Sequence, residues 1–211
     1  MKFEEWPSET HERVFLAHDR SFLAAFAVHS SGTQGSYGGV QLKHYPMIND
    51  MFKDVLYLSE ASTRMSAISG SEQGGGFSIV NAAEWSPEVV LKYAEALSKF
   101  NEKSSYTAVP DLNSDNSVLS RVLECEGNAS VFYDPKGDLI EEYTAAGVVE
   151  SLKAVSQFRG VKGKDFTINV EGMNKVGTEV VKLASGLDWD ICISDKDKDY
   201  GLAVASRYGC A

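Results

Sequence analysis

The chain has 211 residues, of which 43% are hydrophobic and 24% charged, and its formal net charge is −10 at pH 7. This length predicts one large globular domain or two small ones, and the negative charge argues against binding to nucleic acid or to an anionic membrane surface, which both need clustered Lys and Arg. No apolar run approaches the roughly 20 residues that cross a bilayer, and the acidic start MKFEEWPSETHERV lacks the apolar core of a signal peptide.

The first elements along the chain are predicted to be strands. HERVFLAHD and SFLAAFAVHSS predict two short strands around a turn at Asp19-Arg20. The glycine-rich GTQGSYGGVQLKHYP predicts a loop that leads into a third strand. From Met47 to Ala67, apolar residues recur at helical spacing, which predicts a helix with one buried stripe. The stripe consists of Met47, Met51, Val55, Leu58 and Met65.

A triple glycine, in the segment SEQGGGFSIV, precedes the next predicted strand. Glycine reaches backbone conformations that other residues avoid. The segment therefore predicts a loop whose backbone approaches a ligand closely, followed by a buried strand from Phe77 to Val80. SPEVVLKYAEALSKF then predicts a helix with Ser86 as N-cap and Pro87 in its first turn. Its buried face would carry Val90, Tyr93, Ala94 and Leu97.

The second half of the chain predicts two α/β segments joined by a linker. SYTAVPDLNSDNSVLSRVLE predicts a strand from Tyr106 to Val109, a turn at Pro110-Asp111 and a helix that begins near Ser114 or Asp115. GNASVFYDPKGDLIEE is polar and turn-rich, which indicates a hinge or linker. After the amphipathic helix YTAAGVVESLKAVSQF, the segment KDFTINVEGMNKVGTEVVKLASGLDWDICISDKD predicts a strand, a helix and a second strand. Such a βαβ unit normally forms a parallel sheet.

The predicted class is therefore α/β, with an N-terminal mixed-sheet domain at residues 1–135 and a truncated Rossmann-like segment at residues 136–211. The cysteines, Cys125, Cys192 and Cys210, are odd in number and widely spaced. They match neither a disulfide framework nor a zinc-binding spacing. We expect a cytoplasmic protein with reduced thiols and no bound metal.

The order of these motifs resembles the glutamate/leucine/phenylalanine/valine dehydrogenase superfamily from about His11 to the C-terminus. The motifs are GSYGG before a helix, STRMSAISG late in that helix, then GGGF, AVPDLNSD and YTAAGVVESLKAV. In that family the same order places a substrate site between an N-terminal domain and a dinucleotide-binding domain. The resemblance implies substrate binding and subunit association by the N-terminal domain. It also places the two glycine segments, with Gly38, Gly39, Gly75 and Gly76, at the substrate.

Two lysines of the family pattern are replaced in this chain. The lysine that binds the substrate carboxylate late in the helix corresponds to Met65, and the catalytic lysine directly after the triple glycine corresponds to Phe77. The family's catalytic aspartate corresponds to Asp111 in AVPDLNS, which is kept. Reductive amination needs a cation to hold a carboxylate and a tuned ammonium beside the reacting carbonyl. The resemblance therefore implies a relative that has lost the parent reaction.

The dinucleotide-binding half also departs from the family pattern. Its G-x-G-x-x-G turn becomes GMNKVG, from Gly172 to Gly177, in which Asn174 replaces the glycine that lets the backbone approach a pyrophosphate. Asp195 keeps the position at the end of the second strand where the family's acid binds a ribose. We expect no bound cofactor.

Three of the candidate site residues have two interpretations each. Asp111 is either a general base or an ordinary turn or helix-cap aspartate. Phe77 either stacks on an apolar substrate or fills the core where the lysine would be. Met65 lines the substrate site or, at its helical spacing, belongs to the core.

The leading functional hypothesis is a divergent dehydrogenase relative that binds a small apolar amino-, oxo- or imino-acid-like molecule. Its chemistry would be cofactor-independent proton transfer, such as cyclisation, tautomerisation or decarboxylation in a biosynthetic pathway, with Asp111 as base. A second hypothesis is a pseudoenzyme that associates with a complete dehydrogenase, and a third is an NAD-dependent dehydrogenase with a rebuilt site. In each case we expect a homo-oligomer built through the N-terminal strands, because an unprotected edge strand tends to pair.

Overall fold

The structure is a computed structural model that describes residues 1–127, 129–132 and 139–211. The chain divides into two compact units, Met1–Pro135 and Lys136–Ala211. Part of the predicted linker, at residues 128 and 133–138, and with it the predicted domain boundary between residues 135 and 136, lies outside the described residues. Each unit is described by itself below.

The first unit is built on a six-stranded mixed sheet with the strand order β1-β2-β3-β5-β4-β6. The first three pairs of neighbours, β1–β2, β2–β3 and β3–β5, are antiparallel, whereas β4 runs parallel to both β5 and β6. The strands are β1 Lys2–Trp6, β2 Arg13–His18, β3 Leu23–Val28, β4 Ser36–Leu42, β5 Gly74–Val80 and β6 Tyr106–Pro110. The two predicted N-terminal strands are confirmed as β2 and β3, but they are interior strands, and β1 forms the edge of the sheet.

Three helices cover the two faces of this sheet: α1 Ile48–Ser69, α2 Pro87–Asn101 and α3 Asn116–Cys125. Helix α1 packs with Phe77 and Ile79 of β5 in one apolar cluster, while α2 and α3 pack in a second. The predicted start of α2 is confirmed, since Ser86 Oγ accepts a hydrogen bond from the Val89 amide and Pro87 is the first helical residue. The four predicted residues of its buried face are all buried.

Both glycine segments contribute to strands: the loop predicted at the triple glycine is wrong, whereas the predicted loop that leads into a third strand is confirmed by the segment before β4. Gly38 and Gly39 belong to β4, and the triple glycine begins β5. A Cβ atom at Gly75 would lie 2.1 Å from the Thr63 amide nitrogen and 2.4 Å from the Ser59 carbonyl oxygen. Glycine is needed here because the backbone of α1 rests directly on the backbone of β5.

The same close packing reverses part of the stripe predicted for α1. Met51 and Val55 are buried as expected, but Met65 is 61% exposed, and Met47, which is the N-cap before the first helical residue, is 60% exposed. The residues buried along the second half of the helix are serines, at positions 59, 62 and 66. Long apolar side chains do not fit between this part of the helix and the glycines of β5, so they point away from the sheet.

The second unit contains the predicted βαβ arrangement. Strands β7 Thr167–Glu171 and β8 Asp190–Ser194 pair in parallel, and helix α5 Lys175–Ala184 connects them. Helices α4 Leu139–Arg159 and α6 Lys198–Tyr208 and a short 3₁₀ turn at Gly163–Asp165 complete the unit. Its core is a separate apolar cluster in which the rings of Phe166 and Trp189 meet edge to face, with centroids 4.9 Å apart. The mixed α/β class predicted from the sequence is confirmed.

Candidate functional site

Three parallel strands of the first unit end side by side, and Asp111 follows the last of them. In the register of β4 and β6, Gly39 lies opposite Val109 and Val40 opposite Pro110, so Gln41 and Asp111 are neighbours. On its other side β4 pairs with β5, which carries Phe77. The carboxyl ends of parallel strands are the usual location of ligand sites in α/β proteins.

The Asp111 carboxylate is held by one of its two oxygens. Oδ1 accepts hydrogen bonds from the Leu112 amide, at 2.6 Å, and from Gln41 Nε2, at 3.3 Å. Among the residues that the structure describes, none donates a hydrogen bond to Oδ2 or forms an ion pair with Asp111. The side chain is exposed. An anchored carboxylate with one open oxygen can accept a proton or hydrogen bond from a ligand.

The residue that caps helix α3 is Asp115 and not Asp111. Asp115 is the N-cap of α3, and its Oδ1 accepts from the Val118 amide at 3.0 Å. Asp111 instead begins the preceding turn, in which its amide donates to Ser114 Oγ and its carbonyl accepts from the Ser114 amide. The helix-cap interpretation of Asp111 is therefore wrong, and the turn interpretation describes its backbone.

Gly39 makes room for Asp111 and Phe77 on the same face of β4. A Cβ atom at position 39 would lie 2.3 Å from Asp111 Oδ2 and 2.7 Å from Phe77 Cε2. The sum of these two distances, 5.0 Å, is an upper limit on the separation of those two atoms. The carboxylate oxygen therefore lies within 5.0 Å of the edge of the Phe77 ring.

The structure places Phe77 in the core and Met65 on the surface. Phe77 is 3% exposed and packs in the cluster of Met51 and Val55 beneath α1, which favours the core interpretation over stacking on a substrate. The expectation of a core position for Met65 is wrong, because the helix turns this side chain away from the glycine strand. Met65 follows Ser62 by one helical turn, and Ser62 Oγ would lie 3.0 Å from a Cβ at Gly38.

A buried hydroxyl network supports the two glycines of β4 from the other face of the sheet. The Tyr106 hydroxyl lies 2.9 Å from the Gly39 carbonyl oxygen and 3.1 Å from that of Gly38, and it is also 3.1 Å from Ser78 Oγ. Ser78 Oγ in turn lies 2.9 Å from the Tyr93 hydroxyl. Burial raises the pKa of both tyrosines well above the usual value, so both stay neutral. Sequence reasoning missed this network, because its members come from three separate elements.

In the second unit, the turn between β7 and α5 uses its amide groups internally. Asn174 is the N-cap of α5 and its Oδ1 accepts from the Gly177 amide at 2.9 Å. Asp195 Oδ2 accepts from the Met173 amide at 2.5 Å, and Oδ1 accepts from the Asp197 amide at 2.7 Å. These two amide hydrogen bonds lower the pKa of Asp195.

Comparison with known proteins identifies relatives that match most of this chain. No family model matches the sequence. Valine dehydrogenase of Streptomyces albus is 25% identical over 210 residues, which cover 94% of this chain and 56% of the relative. Phenylalanine dehydrogenase of Lysinibacillus sphaericus is 23% identical over 202 residues, covering 88% of this chain and 50% of the relative.

Solved structures show the same fold. L-tryptophan dehydrogenase from Nostoc punctiforme superposes with a TM-score of 0.68 at 20% identity, over 96% of this chain and 58% of that protein. Hetero-hexameric glutamate dehydrogenase from Thermus thermophilus, in a leucine-bound form, superposes with a TM-score of 0.71 at 18% identity, over 99% of this chain and 55% of that protein. In sequence and in fold the chain is similar to proteins of the glutamate/leucine/phenylalanine/valine dehydrogenase superfamily. It spans about half the length of the curated relatives it matches.

The nicotinamide dinucleotide that the superfamily resemblance implies does not fit the turn at Asn174. Gly172, with a φ of 90°, keeps the tight turn, and Gly177 keeps close packing, since a Cβ there would lie 2.0 Å from the Gly172 carbonyl oxygen. However, the Asn174 side chain occupies the place of the middle glycine and binds the Gly177 amide, while Asp195 binds the Met173 amide. Two amide donors at this helix start, those of Met173 and Gly177, are thus already paired with side-chain oxygens and are not free to bind a pyrophosphate.

Metal-binding groups, membrane-spanning helices and disulfides are all absent from the described residues. Within residues 1–127, 129–132 and 139–211 no three His, Cys, Asp or Glu side chains are grouped in a way that could hold a metal ion. None of the helices described there is long and apolar enough to traverse a bilayer. The three cysteines are free thiols.

Proposed function

We propose that this protein binds a small apolar amino-, oxo- or imino-acid-like molecule at the open face of β4 and β6. Asp111 accepts a proton from the carbon next to the carbonyl or imine, in cofactor-independent chemistry such as cyclisation, tautomerisation or decarboxylation. The observation that carries this proposal is the Asp111 carboxylate at the end of β6, anchored through Oδ1 and open at Oδ2. The names of the relatives, valine and phenylalanine dehydrogenase, support an apolar amino-acid skeleton.

The side chains around Asp111 support proton transfer rather than reductive amination. The positions that correspond to the two family lysines hold Met65 and Phe77, and neither can polarise a carbonyl group. Gln41 Nε2 and the Leu112 amide stabilise the negative charge on Asp111 without neutralising it. A carboxylate held in this way can take a proton that an adjacent carbonyl or iminium group has made acidic.

The test is the exchange of ligand hydrogens for solvent deuterium, because it reports proton abstraction without knowledge of the final product. Apolar amino acids and 2-oxo acids are incubated with the protein in D₂O, and loss of the proton signal next to the carbonyl carbon is followed by NMR. We expect Asp111→Asn to slow protein-dependent exchange by about 10²-fold or more, the usual contribution of a general base. Asn keeps an acceptor for the Leu112 amide, so the turn should be retained.

Asp50→Asn is the matched control for this experiment, because Asp50 is an exposed carboxylate on α1 that pairs with Lys53. We expect its exchange rate to equal that of the unsubstituted protein. Equal exchange rates for the Asp111 and Asp50 variants would remove the proposed role of Asp111.

A second candidate function is association with another dehydrogenase-type chain, and the exposed edge of the sheet favours it. β1 is an edge strand with four of its five residues exposed, and Trp6 is 46% exposed. The structural neighbour from Thermus thermophilus is a hetero-hexamer, so chains of this fold assemble with non-identical chains in at least that protein. The unpaired backbone groups of an edge strand can hydrogen-bond to a strand from another chain.

For the chain alone, this exposed edge predicts a homodimer or a larger assembly. Light scattering coupled to size-exclusion chromatography should give at least twice the mass of one chain at micromolar concentration. The expected contact runs through β1 instead of β2 and β3, which are interior strands. A mass equal to one chain would contradict the prediction.

A further inference from the structure

Two histidine rings join helix α1 to the ends of β2 and β3. His11 precedes β2 and is 9% exposed, and His29 follows β3. Their ring centroids are 5.0 Å apart in an edge-to-face arrangement. Neither ring has a role in the proposed proton transfer at Asp111, so the pair calls for an explanation of its own.

The hydrogen bonds of His11 are satisfied by a neutral ring. Nε2 lies 3.0 Å from the Leu56 carbonyl oxygen of α1, and Nδ1 lies 2.9 Å from Thr10 Oγ1. Because a carbonyl oxygen only accepts, Nε2 carries the proton, which leaves Nδ1 to accept from the Thr10 hydroxyl. Burial lowers the pKa of His11, and this effect exceeds the opposing influence of the hydrogen bond to Leu56.

His29 connects the pair to the glycine strand β5. Its Nδ1 lies 3.0 Å from Thr63 Oγ1 of α1, and the same oxygen accepts a hydrogen bond from the Gly75 amide at 3.1 Å. The His29 amide donates to the Gly75 carbonyl oxygen at 2.9 Å. The other acceptor for the Thr63 hydroxyl, the Ser59 carbonyl oxygen, is farther away at 3.4 Å, which favours donation to a neutral His29. Both backbone groups of Gly75 are thus held at this junction.

We propose that His11 and His29 form a pH-sensitive latch, which holds α1 on β5 while both rings are neutral and loosens this contact when both are protonated. Acid places two positive charges at centroids 5.0 Å apart in a partly buried position, where like charges repel more strongly than in water. It also turns Nδ1 of each ring from an acceptor into a donor, so the hydroxyls of Thr10 and Thr63 must reorient. The latch goes beyond the proposed function, since it needs no ligand.

The charges on the surrounding elements leave this repulsion in place. On α1, Glu60 favours the protonated form of His11, but it is paired with Arg64. Glu12, directly after His11, accepts hydrogen bonds from the amide and hydroxyl of Ser31. β3 and β5 contain no titratable side chain. Among the described residues, neither ring of the latch forms an ion pair with a carboxylate.

Amide hydrogen exchange at Gly75 tests the latch, because this amide donates to Thr63. Since the pKa of His11 is lowered in the closed contact, the loosened state binds more protons below about pH 6.5, the ordinary value for histidine. From about pH 7.5 to about pH 5.5, the protection factor of the Gly75 amide should therefore fall by about fivefold or more. The Tyr106 amide of the same unit, which donates to Asn101 Oδ1, should change by less than about twofold.

Two variants remove the charge and keep the hydrogen bonds. His29→Asn offers an acceptor to the Thr63 hydroxyl, and His11→Gln offers a donor to the Leu56 carbonyl oxygen. Each should abolish most of the pH effect at Gly75. The control His44→Asn replaces an exposed histidine of the same unit and should keep the effect.

A Gly75 protection factor that stays constant over this pH range overturns the inference, and this measurement needs no variant. A fall that persists undiminished in His29→Asn overturns it as well. An equal fall at the Tyr106 amide would show that acid unfolds the whole unit, and would likewise contradict a local latch.

Discussion

Gly75→Ala should destabilise the first unit by about 3 kcal/mol or more, at the upper end of the cost of overpacking a core. The new Cβ would lie 2.1 Å from the Thr63 amide nitrogen, 2.4 Å from the Ser59 carbonyl oxygen and 2.6 Å from Thr63 Oγ1. Two of these atoms belong to the backbone of α1, so no side-chain rotation relieves the contact. The helix must move away from β5, and the apolar contacts of Phe77 and Ile79 beneath it loosen as well.

The measurement is the midpoint and slope of urea unfolding, followed by circular dichroism and tryptophan fluorescence. Gly127→Ala is the matched control in the same unit, because a Cβ there would meet nothing within 4 Å. We expect the control to change the free energy of unfolding by less than about 0.5 kcal/mol, as surface substitutions usually do. A Gly75 variant as stable as the Gly127 variant would show that α1 does not rest on β5 in solution.

The contact between the backbones of α1 and β5 explains why the loop predicted at the triple glycine is wrong. A run of glycines permits many backbone conformations, so the local sequence favours a loop and cannot reveal that a helix backbone will cover it. The start of α2 was predictable for the opposite reason: Ser86 and Pro87 act within one turn of chain, and that is where the structure finds their contacts. Short-range sequence signals therefore predict where helices begin. The strand conformation of the glycine segments and the exposure of Met65 depend on contacts between distant elements.

Only part of the candidate site could be predicted from the sequence. Asp111 followed from its motif, but its neighbours did not: Gln41 reaches it through the register of β4 and β6, 70 residues apart in sequence. Tyr93, Ser78 and Tyr106 come together only when α2, β5 and β6 assemble. β1 escaped prediction because four of its five residues are exposed, which leaves no apolar pattern to detect.

Phe77→Lys should destabilise the first unit by about 3–5 kcal/mol at pH 7, the range for a buried charge without a full partner. Position 77 is 3% exposed, so the new ammonium is either desolvated or directed towards Asp111. The Phe77 ring edge lies no more than 5.0 Å from Asp111 Oδ2, which is within reach of a flexible lysine. Phe77→Met is the matched control, since it fills the site with an unbranched apolar chain and adds no charge.

The pH dependence of the Phe77→Lys variant shows where its ammonium goes. Burial lowers the pKa of a lysine below the unfolded value of about 10.4. Between the two values the unfolded state binds more protons than the folded state, so the stability of the variant should rise as the pH is raised towards 10, and the Met control should show no such rise. If the ammonium instead pairs with Asp111, the rise of stability with pH is small. The double variant, with Phe77→Lys and Asp111→Asn, should then lose more free energy of unfolding than the two single variants lose together. If the stability of the Phe77→Lys variant neither rises with pH nor is coupled to Asp111, the side chain at position 77 reaches solvent. That result would contradict the core position of Phe77, which distinguishes this chain from a relative with a lysine there.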